Sequence, residues 1–235
     1  MSRRSSTSLS GSILHNTRLV SFDVFGTLID VRNGSYAAFQ AILDEAGGQH
    51  IDVKAFWEHW ETENIRAYWR TYAKYRDICR GSLAAAFDHF RLKGDPAAID
   101  HYFSAFSSFP LFPDVESVLG RLSERYPIAL VSNIDDDLLA LTRLPEVFDI
   151  KCTGERAQGY KPDGTLFRFL LSEAGAPADQ ILHCGQSQYT DMVGGKPLGI
   201  PIAWINRRRV ALDPVVPEPD FEFTDLAPLL ELVRS

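Results

Sequence analysis

The chain has 235 residues, 45% of them hydrophobic, 11% aromatic and 23% charged, which supplies ample material for a buried core and excludes a disordered chain. With 24 Lys+Arg against 31 Asp+Glu the formal net charge is -7, opposite to the basic field a nucleic-acid backbone demands, so nucleic-acid binding is not expected. No apolar run is long enough to cross a bilayer, and Cys79, Cys152 and Cys184 match no metal or redox spacing; a globular, cytoplasmic protein with no membrane contact is expected, its cysteines serving as small buried hydrophobes.

Residues 1–16 are rich in Ser and Arg, contain no acidic residue and lack the apolar stretch of a secretory signal, so they read as a disordered tail, with an organelle transit peptide as the alternative. From Arg18 the sequence RLVSFD reads as a short strand that a Gly26-Thr27 turn ends, leaving Asp23 at the strand's C-terminal end. Residues 33–110 contain no convincing strand. Helical periodicity runs over 35–46, 53–72, 75–91 and 96–107, with breaks at Gly47-Gly48 and Gly94-Asp95-Pro96. Phe56, Trp57, Trp60, Tyr68, Trp69, Tyr72 and Tyr75 crowd this helical insertion, and they pack either its own core, a homodimer interface, or a wall facing a site.

Beyond the insertion, β-branched runs of strand length recur at 127–133, 148–152, 180–185 and 201–205. Helical patterns lie between them at 115–125, 136–143, 165–174 and from Asp191, and another closes the chain. Alternating strand and helix imply an α/β fold: a doubly wound, Rossmann-like parallel sheet whose ligand site lies beyond the strands' C-terminal ends. The domain expectation is a tail at 1–16, an α/β core from 17–32 and 111–235, and a helical cap at 33–110. Asp135, Asp136 and Asp137 suit the N-terminal dipole of the helix they begin, Arg207, Arg208 and Arg209 read as a solvated turn or a patch steering carboxylates, and His183 reads as a packing residue within its strand.

The residues that could carry chemistry fall in order at the strand ends. FDVFGTLID, residues 22–30, places a carboxylate and then Gly-Thr after the first strand. Ser132-Asn133 follow the second, Lys161-Pro162 the third, and the stretch from Gly185 to Asp191 the fourth. A nucleophilic carboxylate, a hydroxyl and amide, an ammonium and a second carboxylate thus converge on the mouth of one sheet.

These four motifs make the chain resemble the haloacid dehalogenase superfamily from Arg18 to about Ile205. The resemblance implies Asp23 as nucleophile, Thr27 as support for its loop, Ser132 and Asn133 as binders of substrate oxygens, Lys161 as the neutralising cation and Asp191 as the group that orients or activates water. It also implies a helical cap closing over the substrate. Phosphatases of the superfamily carry a second aspartate two residues after the nucleophile, where this chain has Phe25, and an acidic magnesium ligand where it has Gln186. Both departures resemble the metal-independent branch typified by the (S)-2-haloacid dehalogenases, in which a departing halide needs no proton and no cofactor or metal is required.

That branch has a tyrosine where this chain has Phe167, and Ser and Asn where it has Gln186 and Gln188 around Ser187. It also has a cap arginine near the halide; by position His59 corresponds, with Arg66 and Arg70 as substitutes. Phe25, Thr27, Ser132, Asn133, Gln186, Ser187, Gln188 and His59 are therefore the expected substrate contacts, and a small carboxylate is the expected ligand. Ring opening like that of the azetidine-2-carboxylate hydrolases, a magnesium-dependent phosphatase, and a catalytically dead binding module are the alternatives.

Overall fold

The computed structural model describes residues 16–232. The expected tail at 1–16 lies outside the described residues except for Asn16, as does any targeting role for it. Six strands form one wholly parallel sheet: β1 (Leu19–Phe22), β2 (Ile128–Ser132), β3 (Ile150–Thr153), β4 (Ile181–Gly185), β5 (Ile202–Ile205) and β6 (Phe221–Phe223), in the order β3-β2-β1-β4-β5-β6. The chain therefore starts at the centre, builds outward through β2 and β3, then returns to the other side of β1. That reversal puts a crevice at the C-terminal ends of β1 and β4, where parallel α/β sheets bind their ligands.

Each of the four central strands is buried on both faces or nearly so, which explains their near-continuous apolar runs. Alternation assigns the faces. Val20, Phe22, Leu182 and Cys184 pack against Val115, Val118, Leu119 and Leu122 on one side; Leu19, Ala129, Val131 and Cys152 pack against Leu166, Phe167 and Leu170 on the other. The three cysteines are free and buried. β6 was not anticipated: its FEF sequence is short and only half-buried, and it is a strand because it adds to the edge of β5.

Between β1 and β2 the chain is helical throughout. The helices are α1 (Val31–Glu45), α2 (Val53–Ala67), α3 (Tyr75–His89) and the short α4 (Asp100–Ser104), followed in the sheet layers by α5 (Val115–Ser123), α6 (Asp136–Leu139), α7 (Gly154–Ala157), α8 (Thr165–Ala174), α9 (Val193–Gly195) and α10 (Leu229–Leu232). α1 starts earlier than the periodicity implied because the Asp30 carboxylate accepts the Asn33 N–H as its cap. Residues 96–108 split into short 3-10 and α pieces instead of one helix. Most of the crowded rings pack this layer's own core: Phe56, Trp57, Trp60 and Tyr75 are buried, with Trp60 Nε1 donating to Cys79 O across α2 and α3 at 3.1 Å. Trp69 is exposed.

Asp135 corrects the expectation for the aspartate triplet. It gives no side-chain cap to α6; its two oxygens accept the Tyr75 and Arg76 N–H groups at 2.9 and 3.0 Å, so a sheet-side residue caps the cap-side helix α3. Asp136 binds Thr153 and Arg156, and Asp137 pairs with Arg76. Tyr160 adds a second tie: its hydroxyl donates to Ala73 O at 2.6 Å, and its ring lies 4.8 Å from that of Tyr68. The helical layer is thus pinned to the loops that carry the site.

Candidate active site

Asp23 ends β1, its N–H held by Cys184 O of β4 at 2.9 Å. The following loop folds back tightly, with the Gly26 N–H donating to Ile29 O. Gly26 has φ +87, and a side chain there would meet Gln186 at 2.9 Å, so both conformation and space require glycine. Thr27 sits beneath the loop; its hydroxyl donates to Asp23 Oδ2 at 2.7 Å and accepts the Gln186 N–H at 2.9 Å, coupling the first loop to the fourth.

Lys161 provides the electrostatic centre. Its Nζ lies 2.5 Å from Asp23 Oδ1 and 2.8 Å from Asp191 Oδ1, with all three side chains buried. Burial opposes the ammonium, but Asp191 and Asp23 outweigh it and hold the Lys161 pKa above the ordinary lysine value. Burial also pushes Asp23 above the usual carboxylate range, with Lys161 opposing and Asp191 adding to the rise. Asp191 moves the other way: against the effect of burial, the Lys161 ammonium and the His183 hydrogen bond hold it well below the usual range.

Asp191 lies in a π-helical turn, Gln188–Met192, that curls back on the end of β4. Its Oδ2 accepts the Ser187 N–H at 2.9 Å, and its Oδ1 meets His183 Nε2 at 3.1 Å. His183 is in turn joined to Ser21 through Nδ1 at 2.9 Å. Two glycines make this approach possible. A Cβ at Gly185 would sit 2.4 Å from Asp191 Cγ, and one at Gly194 only 1.9 Å from the Lys161 carbonyl oxygen.

A cavity of about 90 Å³ opens above Asp23 and Lys161. Of the residues named from sequence as substrate contacts, Phe25, Ser132, Asn133, Gln186 and Ser187 line it. Asn133 Oδ1 accepts the Lys161 N–H at 2.9 Å, leaving its amide NH2 as a free donor type beside the Ser132 hydroxyl. Asp191 is not in the wall; it stands behind Lys161 and is wholly buried.

Three expected contacts are elsewhere. Thr27 is wholly buried beneath the Asp23 loop and does not line the cavity, because its hydroxyl is spent on Asp23 and the Gln186 N–H. Gln188 is turned away, its amide donating to Ala211 O and accepting from the Asp213 N–H, so it fastens a loop. His59 stacks on His89 with ring centroids 3.9 Å apart. On α2 the residues in the cavity wall are Glu61, Ile65 and Tyr68, one helical face, and His59 lies about 200° from Glu61 at 100° per residue. The substitutes fare no better, for Arg66 pairs with Glu63, and Arg70 borders a separate groove between α2 and α3.

Three residues took roles that the sequence reading did not give them: Glu61, His183 and Arg207. Glu61 could have been found by the i, i+7 face of α2 that it shares with Tyr68, a ring already offered as a wall facing a site. His183 is buried as expected but binds Asp191, and nothing in its strand marks this. Arg207 is no solvated turn residue: it donates to Thr27 O, pairs with Asp114 and covers the Phe112 ring at 4.0 Å, so it braces the Asp23 loop.

The family model for haloacid dehalogenase-like hydrolases matches residues 17–199. The chain belongs to that hydrolase family. Among its relatives, (S)-2-haloacid dehalogenase of Pseudomonas sp. (strain YL) is 25% identical over 92% of this chain and 94% of its own length. (S)-2-Haloacid dehalogenase H-109 of Pseudomonas putida is 24% identical over 87% and 92%. A solved structure of L-2-haloacid dehalogenase from Xanthobacter autotrophicus with chloropropionic acid covalently bound shares the fold, with a TM-score of 0.79, 21% identity and coverage of 93% and 99%. This haloacid dehalogenase-like hydrolase therefore has the family's sheet and helical layer along nearly its whole length, and no helix among the described residues is long and apolar enough to cross a membrane.

Proposed function

We propose that this enzyme is a cytoplasmic hydrolase that displaces a leaving group from the carbon beside a small carboxylate, as an (S)-2-haloacid dehalogenase does, with Asp23 as nucleophile and an aspartyl ester as intermediate. The observation that carries this reading is the Lys161 ammonium bound between Asp23 and Asp191 at the floor of a cavity that the Phe25 ring lines. Burial raises the Asp23 carboxyl, and Lys161, donating to it, opposes that rise and favours the ionised form that a carboxylate nucleophile requires. Phe25, packed against Phe106 at 5.3 Å between centroids, cannot hand a proton to an alcohol leaving group, and a halide needs none.

In the first step an Asp23 oxygen attacks the α-carbon from the rear, the C–O bond forms, and the halide leaves with the bonding pair. Water then attacks the Asp23 carbonyl carbon, the ester C–O bond breaks, and a 2-hydroxy acid leaves with the proton given up by the water. Ser132, Asn133 and Ser187 hold the substrate's oxygens. Asp191, kept ionised by Lys161 and His183, is the anion toward which the water's proton moves. Inversion at carbon follows from a single rear attack.

The residues around Asp23 do not fit the magnesium site of the superfamily's phosphatases. Both Asp23 oxygens are already engaged, the lysine ammonium occupies the space between the carboxylates, and Gln186 offers an amide where a hard dication wants a carboxylate. No step is routed through a metal.

The test is a panel of 2-haloacids and phosphate esters assayed with and without magnesium, alongside Asp23→Asn. Halide release by the wild type that the variant lacks is expected. After a single turnover in heavy-oxygen water the label belongs in Asp23. Label entering the product directly in that first turnover overturns the covalent mechanism.

A further inference from the structure

The α2 face over the cavity presents Glu61, where the family resemblance led to an expected arginine or His59. Its carboxylate is half-buried and has no hydrogen-bond or ion-pair partner among the described residues. Asp23 lies in the same wall and Asp191 behind it, and Lys161, which both of those aspartates already engage, is the one cationic residue lining this cavity among the described residues. A substrate that is only an anion adds a fourth negative charge to this set.

On its outer side Glu61 borders a second cavity of about 210 Å³. The arginines there do not satisfy it: Arg32 pairs with Glu58 and Arg207 with Asp114, and exposed Arg208 acts on Glu61 only at longer range. Burial pushes the Glu61 carboxyl above its ordinary value despite the pull of Arg208 and Arg32, the behaviour of an acid lacking a close counter-charge.

We propose that Glu61 is a specificity-determining residue that receives a positively charged nitrogen of the substrate, so that the enzyme's substrates are small carboxylates carrying an ammonium group close to the reacting carbon. This deepens the reading of the Asp23 cavity as the substrate site and rests on it. The carboxylate end of such a zwitterion meets Ser132, Asn133 and Lys161, the ammonium meets Glu61, and the reacting carbon lies between them above Asp23. A cation beside Glu61 neutralises the excess charge, which an ordinary 2-haloacid leaves uncompensated.

Binding of two product-type ligands, lactate and 3-amino-2-hydroxypropanoate, tests this by calorimetry on the intact wild-type enzyme, because the two differ only in the ammonium group. The aminated ligand is expected to bind about tenfold more tightly, the ratio falling to about one in Glu61→Gln while lactate binding tightens. Glu61→Lys, with an unaltered circular dichroism spectrum, is expected to reverse the preference. Equal affinities in the wild type, a preference that survives Glu61→Gln, or no binding of either ligand overturns the proposal. Turnover by Asp23→Asn overturns the nucleophile reading alone if the preference holds; an inactive Asp23→Asn with no ammonium preference overturns the Glu61 assignment alone.

Discussion

Replacing Lys161 by methionine keeps the length of the side chain and removes the charge that two buried carboxylates share. Asp23 and Asp191 then face the same space with no cation between them, and breaking a buried ion pair from one side costs about 3–5 kcal/mol. The cost depends on pH, and its sign follows from the folded-state shifts. In the wild type Asp191 has a depressed pKa, so its contribution is present above the unfolded value near 3.8 and is lost as the pH falls toward the folded value. In the variant, burial and mutual repulsion raise at least one of the two carboxyls. That group destabilises the fold once the pH rises above its unfolded value, and protonation relieves it at low pH.

The stability gap between wild type and Lys161→Met is therefore widest at pH 7–8, where about 3–5 kcal/mol corresponds to a Tm loss of roughly 10 °C for a chain of this size, and it narrows as the pH approaches 4. Urea unfolding of both proteins at pH 4.5 and 8, with equal m-values as a check on the unfolded state, measures it. A gap below about 1 kcal/mol at pH 8, or one that is the same at both pH values, refutes the argument that Lys161 is there to compensate buried charge.

Gly194→Ala forces a Cβ to within 1.9 Å of the Lys161 carbonyl oxygen, so the lysine loop must move; activity is expected to fall at least about a hundredfold, whereas Gly120→Ala, with open space at its Cβ position, should lose none. Asp135→Ala removes the acceptor of two α3 backbone N–H groups and should cost about 1–2 kcal/mol in denaturant unfolding, with a rise in KM if the helical layer loosens over the site. Chelator treatment is expected to leave turnover unchanged, and Gln186→Asp to improve magnesium binding by calorimetry without creating phosphatase activity while Phe25 remains. Activity lost on chelation and restored by magnesium would contradict the metal-free reading.

The strand runs, the helical insertion and the positions of Asp23, Ser132, Asn133, Lys161 and Asp191 were all legible in the sequence, because each depends on local periodicity or on a turn directly after a strand. The parallel sheet has to bury both faces, so its central strands are written as apolar runs, and its ligand residues have to follow them. What the sequence could not supply was rotation and reach. Helix phase turns Glu61 and Tyr68 toward Asp23 and His59 away from it, and only the packing of α1, α2 and α3 sets that phase. Gln188 and Ser187 are neighbours in sequence, yet the π-helical turn sends one amide to the loop at 211–213 and keeps the other residue beside the cavity. Asp135 looks like a cap for the helix it precedes and caps one sixty residues earlier. The chemistry-bearing atoms are thus fixed locally by the strand ends, whereas the roof over them is chosen by long-range packing.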